Sequence, residues 1–234
     1  MLSFQALSGW PPQADTATSS STHRSPTQEP TMHHPTLRTL SGAGAPTALD
    51  TSRTALLVID FQNEYFNGRL PIPDGANALR NARKLVDHAD RHGMPVFHIQ
   101  HVTPPGSPIF AEDSATVLQH GGLAPAPHHT IVKKTMVSAF QGTDLDARLK
   151  AAGIQTLLIT GLMTHMCVSG AARDAVPLGY SVLVADDACA TRDLDTGDGT
   201  VLPHAALHRA SLATIADAFG AILATEDILR LPTR

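Results

Sequence analysis

Residues 155–186 read QTLLITGLMTHMCVSGAARDAVPLGYSVLVAD, and the fold turns on how they are divided. Residues 155–161 are a short aliphatic run, the pattern of a strand buried on both faces. Residues 165–179 are rich in Ala and Gly and read as a helix interrupted late by Pro177. Residues 180–186 are a second aliphatic run. Strand, helix and strand in so short a span make a parallel βαβ unit.

The same alternation extends in both directions. TALLVID (54–60) and PVFHIQHV (95–102) read as strands. Between them Leu79, Ala82, Val86 and Ala89 recur at helical spacing, with Asp74 placed to cap the start and Gly93 to end it. TIVKKTMV (130–137) is a further strand, followed by the short helix TDLDARLKAAG. HAALHRASLATIADAFG is the last long helix and AILAT the sixth strand. The expected architecture is α/β, a Rossmann-like three-layer sandwich with a six-stranded, mostly parallel sheet. Residues 103–129 form a Pro/Gly/His-rich loop, longer than a compact domain keeps without a use for it.

The first 50 residues differ: Ser, Thr and Pro supply 21 of them, which leaves too little apolar surface to offset ordering entropy. The expectation is a disordered extension over 1–49 and one folded domain over 50–234. The opening residues lack the basic and apolar regions of a secretory signal. A formal charge of −4 gives no reason to expect nucleic acid or a membrane as partner, and no apolar run is long enough to span a bilayer. Two cysteines, Cys167 and Cys189, are too few for a disulfide scaffold and fit a reducing, cytoplasmic setting.

In parallel α/β folds ligands bind beyond the carboxyl ends of the strands. Asp60 ends the first strand. Cys167 follows the fourth at the start of a helix, where free amides and the dipole favour a thiolate. Lys133 and Lys134 are adjacent on the third strand, so they face opposite sides and only one can join the other two. A thiol, a carboxylate to take its proton and an ammonium to steady both are the parts of a cysteine nucleophile. An ion pair beside a buried cysteine is the bland alternative on spacing alone.

LLVIDFQNEYF, VKKTMVSAFQGTDLDARLKAAGI and LLITGLMTHMCVSGAARDAVPLGYSVLVADDACAT together resemble the isochorismatase-like cysteine hydrolases, a family that includes nicotinamidases and N-carbamoylsarcosine amidase. The resemblance runs from about residue 54 to about residue 225. It implies that Asp60, Lys134 and Cys167 are a catalytic triad. Lys134 is the lysine preceding Ser138, Ala139 and Phe140, and Cys167 belongs with Gly161, Thr164 and Val168. It also implies a cis Leu162–Met163 bond, with the Met163 and Cys167 amides as oxyanion hole. Gln62, Tyr65, Phe66, Phe140, Thr164 and His165 are the candidate substrate-binding residues. The implied reaction is cleavage of a C–N bond in a small amide, carbamoyl or ureido compound through a thioester on Cys167. The alternatives are vinyl ether hydrolysis of the isochorismatase type, or a non-catalytic binding protein on this fold. The resemblance, with the Ala/Gly-rich helix after Cys167 as a contact, also implies a homo-oligomer.

Thirteen histidines invite a metal reading. Nicotinamidases hold a metal with an Asp-x-His pair after the second strand, which FHIQHVTPPGSPIF lacks. On regular strands His98 and His101 face opposite sides, as do His128 and His129. No metal and no cofactor are therefore expected.

Overall fold

The computed structural model describes residues 34–234. Six strands form one sheet: β1 (Thr54–Ile59), β2 (Val96–His101), β3 (Thr130–Lys134), β4 (Thr156–Leu162), β5 (Ser181–Ala190) and β8 (Ala221–Leu223), in spatial order β3-β2-β1-β4-β5-β8. Every pairing is parallel. β1 is buried along its whole length, which explains its unbroken aliphatic run.

Strand side chains alternate between the two faces, and each face buries its own set of helices. Leu56 and Val58 of β1 share a core with Ala78, Ala82, Leu85 and Val86 of α2 (Gly75–Arg91). Ala55, Leu57 and Ile59 pack on α3 (Leu145–Ala151), α4 (Ser169–Ala175) and α5 (His204–Ala218) through Leu149, Ala171, Ala175, Leu212 and Ile215. The small residues of α4 thus face the sheet: Ala171, Ala172 and Ala175 have no exposed surface. They bring helix and sheet together, and the solvent side of α4 is carried by Arg173 and its neighbours.

The chain runs outward from β1 to β3, returns to β4 beside β1, and continues outward to β8. Strand order therefore reverses between β1 and β4, and the strands' carboxyl ends at that switch point are where such folds form their ligand crevice.

The sequence places the domain start at residue 50, and the structure moves it to Pro35. Residues 1–33 of the expected extension lie outside the described residues. Thr36 caps a one-turn helix, α1 (Leu37–Leu40), and the Leu37 amide donates to Asp217 of α5. Leu49 is 2% exposed and exchanges backbone hydrogen bonds with Pro232 and Arg234 near the chain's end. A single buried leucine tied to distant backbone leaves no periodic mark in a stretch dominated by Ser, Thr and Pro.

Two further differences matter for the site. β5 continues past Asp186 to Ala190, and a hairpin of β6 (Leu194–Asp195) and β7 (Val201–Leu202) precedes α5. Asp74 makes no capping bond to α2; its carboxylate lies 3.4 Å from His204 Nε2 of α5. A short final helix, α6 (Thr225–Leu229), has its first amide bound by Asp187 Oδ1.

Candidate active site

Asp60, Lys134 and Cys167 meet, buried, at this switch point. Asp60 leaves β1 with φ of 53°, a left-handed conformation that Asp tolerates better than most side chains. Its amide still donates to Ile99 of β2 at 3.0 Å, so the turn begins while the strand is paired. Oδ2 lies 2.8 Å from Lys134 Nζ, and neither side chain is accessible to solvent. Beyond that ion pair, neither carboxylate oxygen holds a formed hydrogen bond within the protein.

Lys134 ends β3, and its register partner on β2 is His101. Nζ is 3.1 Å from His101 Nδ1, 3.2 Å from the Met136 carbonyl and 3.3 Å from Cys167 Sγ. Its three protons therefore serve four neighbours. An ammonium only donates, so His101 Nδ1 accepts and the proton of the neutral ring sits on Nε2. Burial, and then the Lys134 charge, hold His101 below the ordinary histidine range. Lys133 points away and pairs with Glu112 at the surface, 2.8 Å apart.

Cys167 sits in a wide π-helical turn, Thr164–Val168, that leads into α4. Such turns recur at functional sites because they re-aim side chains. The Met166 and Val168 amides converge on the Met163 carbonyl at 3.0 and 3.3 Å. The Leu162–Met163 peptide bond is cis. At Gly161 the chain passes so close to β1 that an added Cβ would lie 2.6 Å from Ile59 Cβ and 2.7 Å from its carbonyl oxygen. Gly161→Ala must push two central strands apart, so it is expected to cost about 1–3 kcal/mol. Denaturant unfolding of the variant measures this.

The electrostatics revise one expectation. Cys167 is 6% exposed. Burial, and then the Asp60 carboxylate, push its thiol up to about 12, and the opposing pull of Lys134 does not prevail. Burial and the neighbouring carboxylate thus work against the thiolate that the helix-start position favours. Burial also acts to lower Lys134, but Asp60 and Cys167 reverse this and hold it above its ordinary value. The balance of these effects favours the protonated form at both Cys167 and Lys134.

The remaining candidates divide. Tyr65 is 2% exposed and near enough to feel Cys167 and Asp60, which add to burial in raising its hydroxyl. Thr164 Oγ1 lies 2.8 Å from His208 Nδ1 of α5, and the His165 ring bonds Thr191. Both pairs abut a cleft of ≈ 180 Å³ bounded by Thr191, His204 and His208. That cleft adjoins the nucleophile turn, but Asp60, Lys134 and Cys167 are not among its walls. Phe66 packs on His120, ring centroids 4.3 Å apart.

Gln62 and Phe140 are corrections. Gln62 is fully buried: its Nε2 donates to the His101 and Val117 carbonyls and its Oε1 accepts from the His101 amide. It ties three segments together and has no donor left for a substrate. Phe140 stacks on Tyr180 at the amino end of β5, ring centroids 6.1 Å apart, away from the crevice.

Two residues at the site escaped sequence reasoning. His101 reaches Lys134 through strand register alone. Arg192 lies just past β5 with Nε buried and unpartnered. Its charge bears on both Tyr65 and His165. A basic residue soon after the end of a central strand was its only sequence signal. Cys189 is buried, burial raises its thiol well above the ordinary value, and it pairs with Gly161 between strands.

His98 and His101 do face opposite sides of β2: His98 Nε2 meets His129 Nδ1 at 3.1 Å, while His101 meets Lys134. The alternation assumed for His128 and His129 fails, because both precede β3 in a turn. Both rings reach Asp90 Oδ1, at 3.0 and 2.9 Å.

A doubly wound parallel α/β fold with a buried carboxylate, ammonium and thiol at its switch point defines a class of small-molecule enzymes, and the comparisons narrow it. Residues 54–227 match the isochorismatase domain, so the chain belongs to the isochorismatase family and is one of its hydrolases. It is 37% identical over 179 residues to an uncharacterized isochorismatase family protein, YddQ, of Bacillus subtilis, covering 76% of this chain and 99% of the relative. It is 28% identical over 231 residues to the ureidoacrylate amidohydrolase RutB of Variovorax paradoxus, covering 84% and 88%. The crystal structure of an isochorismatase from Pseudomonas putida KT2440 superposes with a TM-score of 0.76 at 31% identity, covering 84% of this chain and all of the other. Among the described residues no helix is long and apolar enough to cross a membrane.

Proposed function

We propose that the protein hydrolyses a C–N bond in a small amide, carbamoyl or ureido compound through a thioester on Cys167. The observation that carries this reading is the buried Asp60–Lys134–Cys167 contact, 2.8 Å from carboxylate to ammonium and 3.3 Å from ammonium to sulfur. Similarity to a ureidoacrylate amidohydrolase supports the substrate class.

The Cys167 sulfur attacks the carbonyl carbon as its proton passes to Asp60, whose oxygens hold no hydrogen bond beyond the Lys134 ion pair. The Met163 and Cys167 amides receive the oxyanion. Asp60 returns the proton to the leaving nitrogen, the C–N bond breaks and an acyl thioester remains. Water, losing a proton to Asp60, then releases the acid and restores the thiol. Lys134 keeps its charge throughout and neutralises whichever partner is anionic. A substrate-triggered thiol suits a raised Cys167 pKa, since a resting thiolate would be open to alkylation and oxidation.

Arg192 points to an acidic substrate. Its Nη1 donates to the Asp193 carbonyl, but its Nε is unpartnered and its charge bears on Tyr65 and His165, which suits a carboxylate held away from the scissile bond. Arg192→Met should raise KM for carboxylate-bearing amides by about tenfold to a hundredfold, the value of one charged hydrogen bond. Neutral amides should be little affected, and paired steady-state kinetics on the two substrate types make the comparison.

Both cysteines are free, which suits a reducing compartment. The exposed Leu118, Ile131 and Met136 are apolar surface that a homo-oligomer would cover; light scattering tests that part. The reaction itself is tested by screening ureido acids, carbamoyl amino acids and simple amides for ammonia release. Activity absent from Cys167→Ala supports the reading. Equal activity in that variant refutes it, and ether cleavage without ammonia release would favour isochorismatase-type chemistry.

A further inference from the structure

Asp90 lies in the last turn of α2, and His128 and His129 lie in the turn before β3. Asp90 Oδ1 is 3.0 Å from His128 Nε2 and 2.9 Å from His129 Nε2, and the three donor atoms all lie within 4.8 Å of one another. One carboxylate oxygen and two imidazole nitrogens on one point are a zinc-type donor set. A tetrahedral ion about 2 Å from each would space them roughly 3.3 Å apart, close to the two separations from the carboxylate oxygen.

The His129 ring is prepared for this from behind. Its side chain is only 2% exposed, which fixes its orientation, whereas His128 is 67% exposed and leaves an open path from solvent. His129 Nδ1 accepts from the Ala126 amide at 3.1 Å and faces His98 Nε2 at 3.1 Å. The ring proton is therefore on Nε2, donated to Asp90, and His98 carries its proton on Nε2. His98 Nδ1 is buried without a partner. That arrangement can switch. When a cation takes His129 Nε2, the His129 proton moves to Nδ1 and is donated to His98 Nε2, while His98 holds its own proton on Nδ1. The Ala126 hydrogen bond is lost in exchange. A metal-bound histidine that donates its second N–H to a buried partner is the arrangement metal sites use to hold the ring.

We infer that Asp90, His128 and His129, backed by His98, form a binding site for one zinc-type divalent transition ion, with water completing the coordination. It is remote from the chemistry. His129 precedes β3 and Lys134 ends it, about 16 Å away at strand rise. The ion is a clip: it joins the last turn of α2 to the start of β3, the edge strand that carries Lys134. An edge strand bonded on one side only gains most from such a tie.

The test uses full-length protein carrying Cys167→Ala, so that the nucleophile cannot capture the metal, titrated with cobalt(II) and zinc after chelator treatment. One equivalent should bind, with cobalt d–d bands but no sulfur-to-cobalt charge-transfer band, and zinc should raise the melting temperature. His128→Ala, at an exposed position, should fold normally and weaken binding by at least about tenfold, the loss caused even by removing an outer partner of a metal ligand. Asp90→Asn should do the same. In the protein with Cys167 intact, chelation should leave turnover unchanged. Absence of stoichiometric binding at millimolar metal, or binding untouched by His128→Ala, overturns the inference.

Discussion

Asp60→Asn is expected to lower turnover by about a hundredfold to ten-thousandfold, the usual contribution of a positioned acid–base group, while making Cys167 easier to alkylate. The two effects run in opposite directions for one reason. In the native protein Asp60 is the partner that, after burial, raises the Cys167 thiol, and Lys134 opposes it. Asparagine removes the charge and keeps the shape. Lys134 then has only Cys167 as a counterion at 3.3 Å, and the thiol pKa falls. Iodoacetamide at neutral pH should therefore modify the variant faster than the wild type. In the wild type the rate should keep rising with pH from neutrality toward the raised thiol value, because the thiolate fraction grows throughout. A plateau near neutral pH in the wild type, or slower alkylation in the variant, would show that the resting sulfur is already ionised.

Lys134→Met should have the other large effect, on stability as well as rate. It strands the Asp60 carboxylate in a place with no solvent and, among the described residues, no other cation in contact. Breaking a buried pair from one side costs about 3–5 kcal/mol. Turnover should be lost beyond what partial unfolding explains, and activity per folded molecule, with the folded fraction taken from circular dichroism, separates the two. Lys133→Ala is the internal control. Its surface pair with Glu112 contributes about 0–1 kcal/mol, so stability and rate should stay near wild type. If the Lys133 variant were inactive and the Lys134 variant active, the assignment of the two lysines would be reversed.

The sheet was legible because its central strands are buried on both faces, and β1, β4 and β5 carry that condition as uninterrupted aliphatic runs. Asp60 and Cys167 followed from where parallel sheets place their ligand sites. Adjacency left Lys133 and Lys134 as alternatives, and the family resemblance favoured Lys134. What escaped depends on contacts between distant segments. His101 reaches Lys134 because β2 and β3 are in one particular register. Arg192 reaches the site because β5 runs four residues past the aspartate taken as its end. Gln62 and Phe140 failed for the converse reason. A polar and an aromatic residue near a catalytic motif look like substrate contacts until their hydrogen bonds and stacking partners prove to lie within the protein. His128 and His129 were read with strand alternation, a rule that does not apply in the turn they occupy.

The account rests on a covalent intermediate at Cys167, and rapid-quench mass spectrometry during turnover of a slow ureido or amide substrate tests it most directly. The peptide bearing Cys167 should gain the mass of the acyl group after loss of the amine, and the adduct should form and decay at rates compatible with turnover. It should be absent from Cys167→Ala. Steady turnover with no acyl adduct at Cys167, in a protein whose Cys167→Ala variant retains the wild-type rate, would contradict the account.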